Sequence, residues 1–239
     1  MADTDLTPAA QFAKLRKPRL ESESEAYASA REALLAEEIE LARQMERVAQ
    51  SRRALPDGPV IETDYRFVAP TGDEVGLADL FGSHDTLIAY FWMYGPERER
   101  PCPMCTNLLG PLDANATDLE QRVAVAVIGR SSVERQKAFA VERGWRHLKF
   151  YQSCGDEFAL DFGGLDPENG AEYPVLMVLR REGTGDDAKI RLFWMGERSG
   201  EMADPGQDPR GGPDPAPLWT LLDLTPEGRG TDWYPKLEY

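Results

Sequence analysis

Apolar residues change their spacing along this chain, and the change divides it. From Ser22 to about Arg53 there is no Pro or Gly, and Tyr27, Ala30, Leu34, Leu35, Ile39, Leu41, Met45 and Val48 fall near helical spacing. This predicts one long amphipathic helix. Ser22 or Ser24 can cap its start, acidic residues fill its first turn, and Pro56 and Gly58 end it. Its polar face carries as much acid as base, which suits packing on its own domain or on a second copy of the chain rather than on a membrane. Residues 1–21, polar and holding Pro8 and Pro18, read as a loose arm.

Beyond residue 60 the pattern shortens. "VIETDYRFVAP" reads as extended, "TGDEVG" as a turn and "LADLFG" as a short helical turn. "TLIAYFWMY" is apolar on both faces, as a central strand of a parallel sheet would be. Cys102-Pro-Met-Cys105 follows, then a helix with Leu108, Leu109, Leu112, Ala116 and Leu119 on one face and Pro111 as a kink. "VAVAVIG" is a second buried strand. Ser131 with Glu134 forms a capping box for the next helix, which Gly144 ends. "HLKFY" is a short strand holding His147, and "DEFALDF" a helical turn. Pro174 opens "VLMVLRR", "EGTGDD" turns the chain, and "KIRLFWMG" returns antiparallel. Residues 199–217 read as a loop and "PLWTLLDL" as a closing helix. Alternating strands and helices followed by a hairpin imply an α/β domain, a mixed sheet flanked by helices. The division is 1–55 for arm and helix and 56–239 for that domain.

Charge narrows the function. Against 27 Lys and Arg stand 42 Asp and Glu, a formal net charge of −15 over 239 residues. That balance disfavours nucleic acid and anionic membrane as partners. No apolar run approaches the roughly 20 residues of a membrane span. The acidic first residues lack the apolar core of a signal peptide, so a cytoplasmic setting is expected. In such a reducing compartment a CxxC is more often redox-active or metal-binding than structural.

The pair stands where a strand gives way to a helix. Unpaired N–H groups and the positive end of the helix dipole favour a thiolate on Cys102, and Cys105 lies one turn on. Pro103 is tolerated there because the first turn needs no N–H from it. Cys102 is therefore the candidate nucleophile and Cys105 the resolving partner. Arg98 and Arg100 favour the thiolate, while Glu97 and Glu99 oppose it. Two other readings stand beside redox chemistry. One is a metal-binding module: zinc wants four ligands, and only Cys154, His84 and His147 offer more of the right kind, but copper(I) is content with two thiolates. The other is a non-catalytic interaction protein. Tyr90, Phe91, Trp92 and Tyr94 read chiefly as core, with Trp92 or Tyr94 also able to line a groove beside Cys102. Asp156 and Asp161 read as helix-start charges before buried proton acceptors.

"YRFVAPTGDEVGLADLFG", "LIAYFWMYGP", "CPMC", "GW", "FYQSCGDEFALDF" and "LWTLLDLTPEGRG" resemble the DUF899 family, as does the leader "AREALLAEEIELARQMERVAQSRRALP". The resemblance spans roughly residues 28 to 239. It implies a thioredoxin-like fold and a dithiol–disulfide oxidoreductase with Cys102 and Cys105 as its redox pair. It implies no bound organic cofactor, and a protein or small-molecule thiol or disulfide as partner; a homodimer is an option that the long helix itself offers. Pro174, ahead of a strand, is similar in place to the cis-proline of thioredoxins, and a cis bond there is the corresponding hypothesis. The Trp-Cys-Gly-Pro-Cys of thioredoxins is absent. "TGDEVGLADLFG" also resembles the opening of peroxiredoxins, but those carry a hydroxyl residue three positions before the reactive cysteine. Glu99, which cannot donate to a peroxide, stands there instead. Disulfide exchange therefore ranks above peroxide reduction.

Overall fold

Ser24, rather than Ser22, starts the long helix: its Oγ accepts the Tyr27 N–H at 3.2 Å, and α2 then runs Glu25–Arg53. It stops ahead of Pro56, where Ala54 and Leu55 donate back into its last turn. The structure is a computed structural model describing residues 6–18, 20–183, 188–196 and 236–237. Within it the chain divides into two compact units, Met1–Pro56 and Asp57–Tyr239. In the first unit the described part of the arm is not loose. Ala9–Ala13 form α1, which packs on α2 with Ala9 and Ala13 buried. Arg43 of α2 donates to the Thr7 carbonyl at 2.6 Å and lies over the Phe12 ring. A five-residue helix is too short to show a period, so tertiary contact alone makes it visible.

The second unit is built on one seven-stranded sheet, ordered β2-β1-β5-β4-β3-β6-β7. Its strands are β1 (Arg66–Val68), β2 (Glu74–Gly76), β3 (Thr86–Trp92), β4 (Ala124–Gly129), β5 (Phe150–Ser153), β6 (Val175–Glu182) and β7 (Lys189–Met195). β3, β4 and β5 are parallel; β6 pairs antiparallel with β3, and β7 with β6. Among the described residues, helices α3 (Pro103–Leu119), α4 (Val133–Arg143) and α5 (Glu157–Asp161) and a 3-10 turn at Leu77–Phe81 accompany the sheet. This is the thioredoxin-like mixed sheet flanked by helices that the sequence implied.

Three local expectations change. "VIETDYRFVAP" is not one strand: Ile61 N–H donates to the Ile190 carbonyl of β7 and Leu192 N–H of β7 donates to the Pro59 carbonyl, whereas Arg66–Val68 pair with β5 and β2 near the opposite edge. The segment thus crosses the end of the sheet, and "EVG" within the supposed turn becomes β2. The α4 cap is Ser132, whose Oγ accepts the Arg135 N–H at 3.3 Å; the Ser131 hydroxyl is buried instead. His147 precedes β5 rather than lying in it. Its N–H and those of Arg146 and Leu148 donate to the buried Asp113 carboxylate of α3 at 2.8–3.1 Å. Pro111 does sit inside α3, and Gly144 ends α4 at φ 72°, where a side chain would be strained. The loop expected over 199–217 and the helix "PLWTLLDL" lie outside the described residues.

Period-two alternation in the central strands builds two cores. Leu87, Ala89 and Phe91 of β3 join Ala124, Ala126 and Ile128 of β4 on one face, with Phe81, Phe158 and Met177. Tyr90 and Trp92 join Val125 and Val127 on the other, where α3 and α4 bring Cys105, Leu109, Ala116 and Phe139.

Candidate functional site

The end of β3 passes into a nine-residue crossing, 93–101, and then into α3. Cys102 is the N-cap of that helix and Pro103 its first residue, so no helical N–H is lost to the proline. The Cys102 N–H donates to the Met93 carbonyl at 3.1 Å, which ties the start of the helix back to the strand. Cys102 is half-buried, Cys105 is buried, and both are free thiols. The two approach to 3.7 Å.

Their surroundings push them in opposite directions. The Cys105 thiol donates to Cys102, the backbone N–H groups of Cys105 and Met104 point at the same sulfur, and the Arg98 guanidinium lies nearby. Together they outweigh burial and bring the Cys102 pKa down to about 6. Cys105 goes the other way. Burial, its hydrogen bond to Cys102 and the charge of Cys102 hold its thiol well above the ordinary range. The two titrate as one coupled system, with the charge placed on the outer sulfur.

The crossing before Cys102 is fastened from three elements. Arg135 of α4 lies 4.8 Å over the Tyr94 ring and donates to the carbonyls of Pro96, Arg98 and Glu99. Arg100 pairs with Glu142 of α4. Glu172, only 7% exposed, reaches across from the approach to β6. It accepts from Gly95 N–H at 3.1 Å, Arg98 Nε at 2.9 Å and Arg130 Nη1 at 3.2 Å. Arg130 in turn holds Asp156. A Cβ on Gly95 would stand 2.2 Å from the Glu172 carboxylate and would displace it. Glu97 and Glu99 are exposed.

The other residues singled out in the sequence fall as follows. Pro174 is exposed and immediately precedes Val175, which pairs with Phe91, so it stands at the sheet end from which the Cys102 crossing departs. No cis peptide bond occurs among the described residues, so the Tyr173–Pro174 bond is trans. The chain runs extended from the Leu165–Glu172 bridge into β6, a course that a trans X–Pro bond suits. Trp92 and Tyr94 are buried and pack with Phe139 as part of the core. Cys154 is exposed beyond β5, away from the pair in strand order, and its N–H bonds to Arg66. Asp161 ends α5 and accepts the Tyr65 hydroxyl. Among the described residues no group of three or more His, Cys, Asp or Glu is set to hold a metal ion, and no helix is long and apolar enough to cross a membrane.

Sequence reasoning missed Glu172, Arg130 and Arg135, whose side-chain partners are 26 to 77 residues distant. It placed Tyr90 in the core without giving it a task. The available signal was a hydroxyl in an otherwise apolar strand.

Fold and site together define a thioredoxin-like protein with two adjacent thiols at the start of a helix. The chain belongs to the family described as "Bacterial protein of unknown function (DUF899)", which it matches over residues 17–239. No curated protein matches it. Among solved structures it is similar to peroxidoxin BcpB from Mycobacterium tuberculosis, at 19% identity over 53% of this chain and 79% of that one, TM-score 0.40. It is also similar to the exposed lipoprotein thioredoxin of Streptococcus pneumoniae, at 16% identity over 68% of this chain and 100% of that one, TM-score 0.39. A peroxiredoxin-like protein from Aquifex aeolicus matches at 14% identity over 59% of this chain and 75% of that one, TM-score 0.41.

Proposed function

We propose that this protein is a thiol–disulfide oxidoreductase. The observation that carries the reading is a half-buried Cys102 whose thiolate is favoured at neutral pH, with a protonated Cys105 3.7 Å away. Cys102 attacks a sulfur of the substrate disulfide, and one substrate thiolate leaves. Cys105 then attacks Cys102, the second substrate thiol is released, and the Cys102–Cys105 disulfide forms. The dithiol is oxidised by two electrons and the substrate disulfide reduced; a thiol donor resets the pair. Pro174 presents backbone to the substrate beside this site. The substrate is a protein or small-molecule disulfide, and no bound organic cofactor is required.

Alkylation rate against pH tests this directly. The Cys102 rate should rise with a midpoint at about 6 and vanish after oxidation of the pair. A midpoint near the ordinary thiol value of about 8.5 would remove the basis of the reading. The same shift is linked to stability. A depressed folded pKa contributes stability that is lost as pH falls through it, so the reduced protein should gain stability between pH about 6 and about 8.5. Cys105, raised when folded, adds stability only below its unfolded value and so opposes nothing in that window. Thermal unfolding of the reduced protein beside Cys102→Ser checks the slope, which the variant should lose.

A further inference from the structure

Cys105 poses a problem that the exchange reaction must solve. To close the disulfide its sulfur has to become a thiolate, yet it is 1% exposed among apolar neighbours such as Leu109. An ion formed there with no donor facing it is strongly disfavoured. Two donors do face it, both from the end of β3. The Tyr90 hydroxyl and the Met93 backbone N–H are directed at the Cys105 sulfur. Tyr90 is 4% exposed and shares the core on one face of the sheet with Cys105. Trp92, two residues on along the same strand face, has an indole N–H that is unpartnered. The Met93 peptide serves both cysteines, through its carbonyl to Cys102 N–H and its own N–H to Cys105.

We infer that Tyr90 is a catalytic residue of the second step, donating its hydroxyl hydrogen bond to the thiolate that forms on Cys105 as it attacks Cys102. The inference rests on the thiol–disulfide reading above. Before reaction, burial, the hydrogen bond to Cys102 and the Cys102 charge together keep the proton on Cys105. Once Cys102 is bonded to substrate sulfur that charge is gone, and the Cys105 proton passes to solvent. The electron pair left on sulfur 105 forms the Cys105–Cys102 bond, the Cys102–substrate bond breaks, and the substrate thiolate leaves with its electron pair and takes a proton. Tyr90 donates throughout and loses no proton. Burial and the neighbouring thiols hold its own pKa well above the ordinary phenol value. A neutral donor suits this place better than a carboxylate, which would repel the forming thiolate.

The test uses the full chain carrying Cys154→Ser, so that only the pair reports. Reduced protein is mixed with 5,5′-dithiobis(2-nitrobenzoate), whose thiolate is coloured. Attack by Cys102 releases one equivalent, and attack by Cys105 on the resulting mixed disulfide releases a second. With Tyr90→Phe the first release should stay within about twofold. The second should slow at least tenfold, with its pH midpoint moving upward by about one unit, since tenfold corresponds to one pH unit. A second release unchanged within about twofold overturns the role of Tyr90 and leaves the oxidoreductase reading in place. A first release at the rate of an ordinary thiol, in protein with Tyr90 intact, sinks that reading instead. Should Tyr90→Phe fail to fold, replacement of tyrosine by 3-fluorotyrosine gives a more acidic, stronger donor. The second release should then quicken, and an unchanged rate overturns the inference.

Discussion

Helices α2 and α3 carry similar apolar repeats and meet opposite fates. α3 buries Cys105, Thr106, Leu109, Asp113 and Ala116 against the sheet. α2, 29 residues long, buries none, and Tyr27, Leu34, Leu41 and Met45 stand 52–65% exposed. An apolar stripe states that a helix has a face to cover; what covers it depends on strands far away in sequence. The two neighbouring thiols accordingly sit at the tip of the helix that a sheet holds still. A nucleophile needs a fixed set of N–H donors, and packing along α3 supplies the rigidity that a lone helix would lack.

Substitutions along the two helices should separate accordingly. Leu109→Ala, emptying a fully buried site, should cost about 2–5 kcal/mol in denaturant unfolding of the second unit; a cost under about 1 would mean that α3 is held from elsewhere. Asp113→Ala leaves three backbone N–H groups without their acceptor and should cost about 1–3 kcal/mol. Its companion effect is faster amide exchange at Arg146, His147 and Leu148, and unchanged exchange there would show that the carboxylate is dispensable. Ser24→Ala removes the α2 cap and should lower helicity of the first unit at a cost of about 1 kcal/mol. Leu34→Ala should stay within about 0.5 kcal/mol. A loss above about 1 would collapse the contrast, because it would show that this stripe has a partner.

Much of the second unit was legible in advance. β3 and β4 announce themselves as unbroken apolar runs, and Ser24, Gly144 and Pro103 mark helix ends by mechanisms that act within a turn. The placement of Cys102 at a helix start follows from the same local signals, and with it the sense of its pKa shift. β2 was hidden because three residues hold no period, and the capping serine was misplaced by one because Ser131 and Ser132 are chemically alike. Pro174 was legible as a strand opener, whereas its peptide geometry was not.

The sequence by itself determined the order of strands and helices, the α/β class, and two thiols one turn apart at a helical tip, because each of these is written within a dozen residues. Only the tertiary structure decided that Cys102 stays partly exposed while Cys105 is buried. The same holds for the Tyr90 hydroxyl directed at the inner sulfur and for Glu172, which reaches 77 residues back to hold Gly95 and Arg98. These depend on which strands lie side by side, and sheet order is set by the summed burial of both faces rather than by any local run of residues.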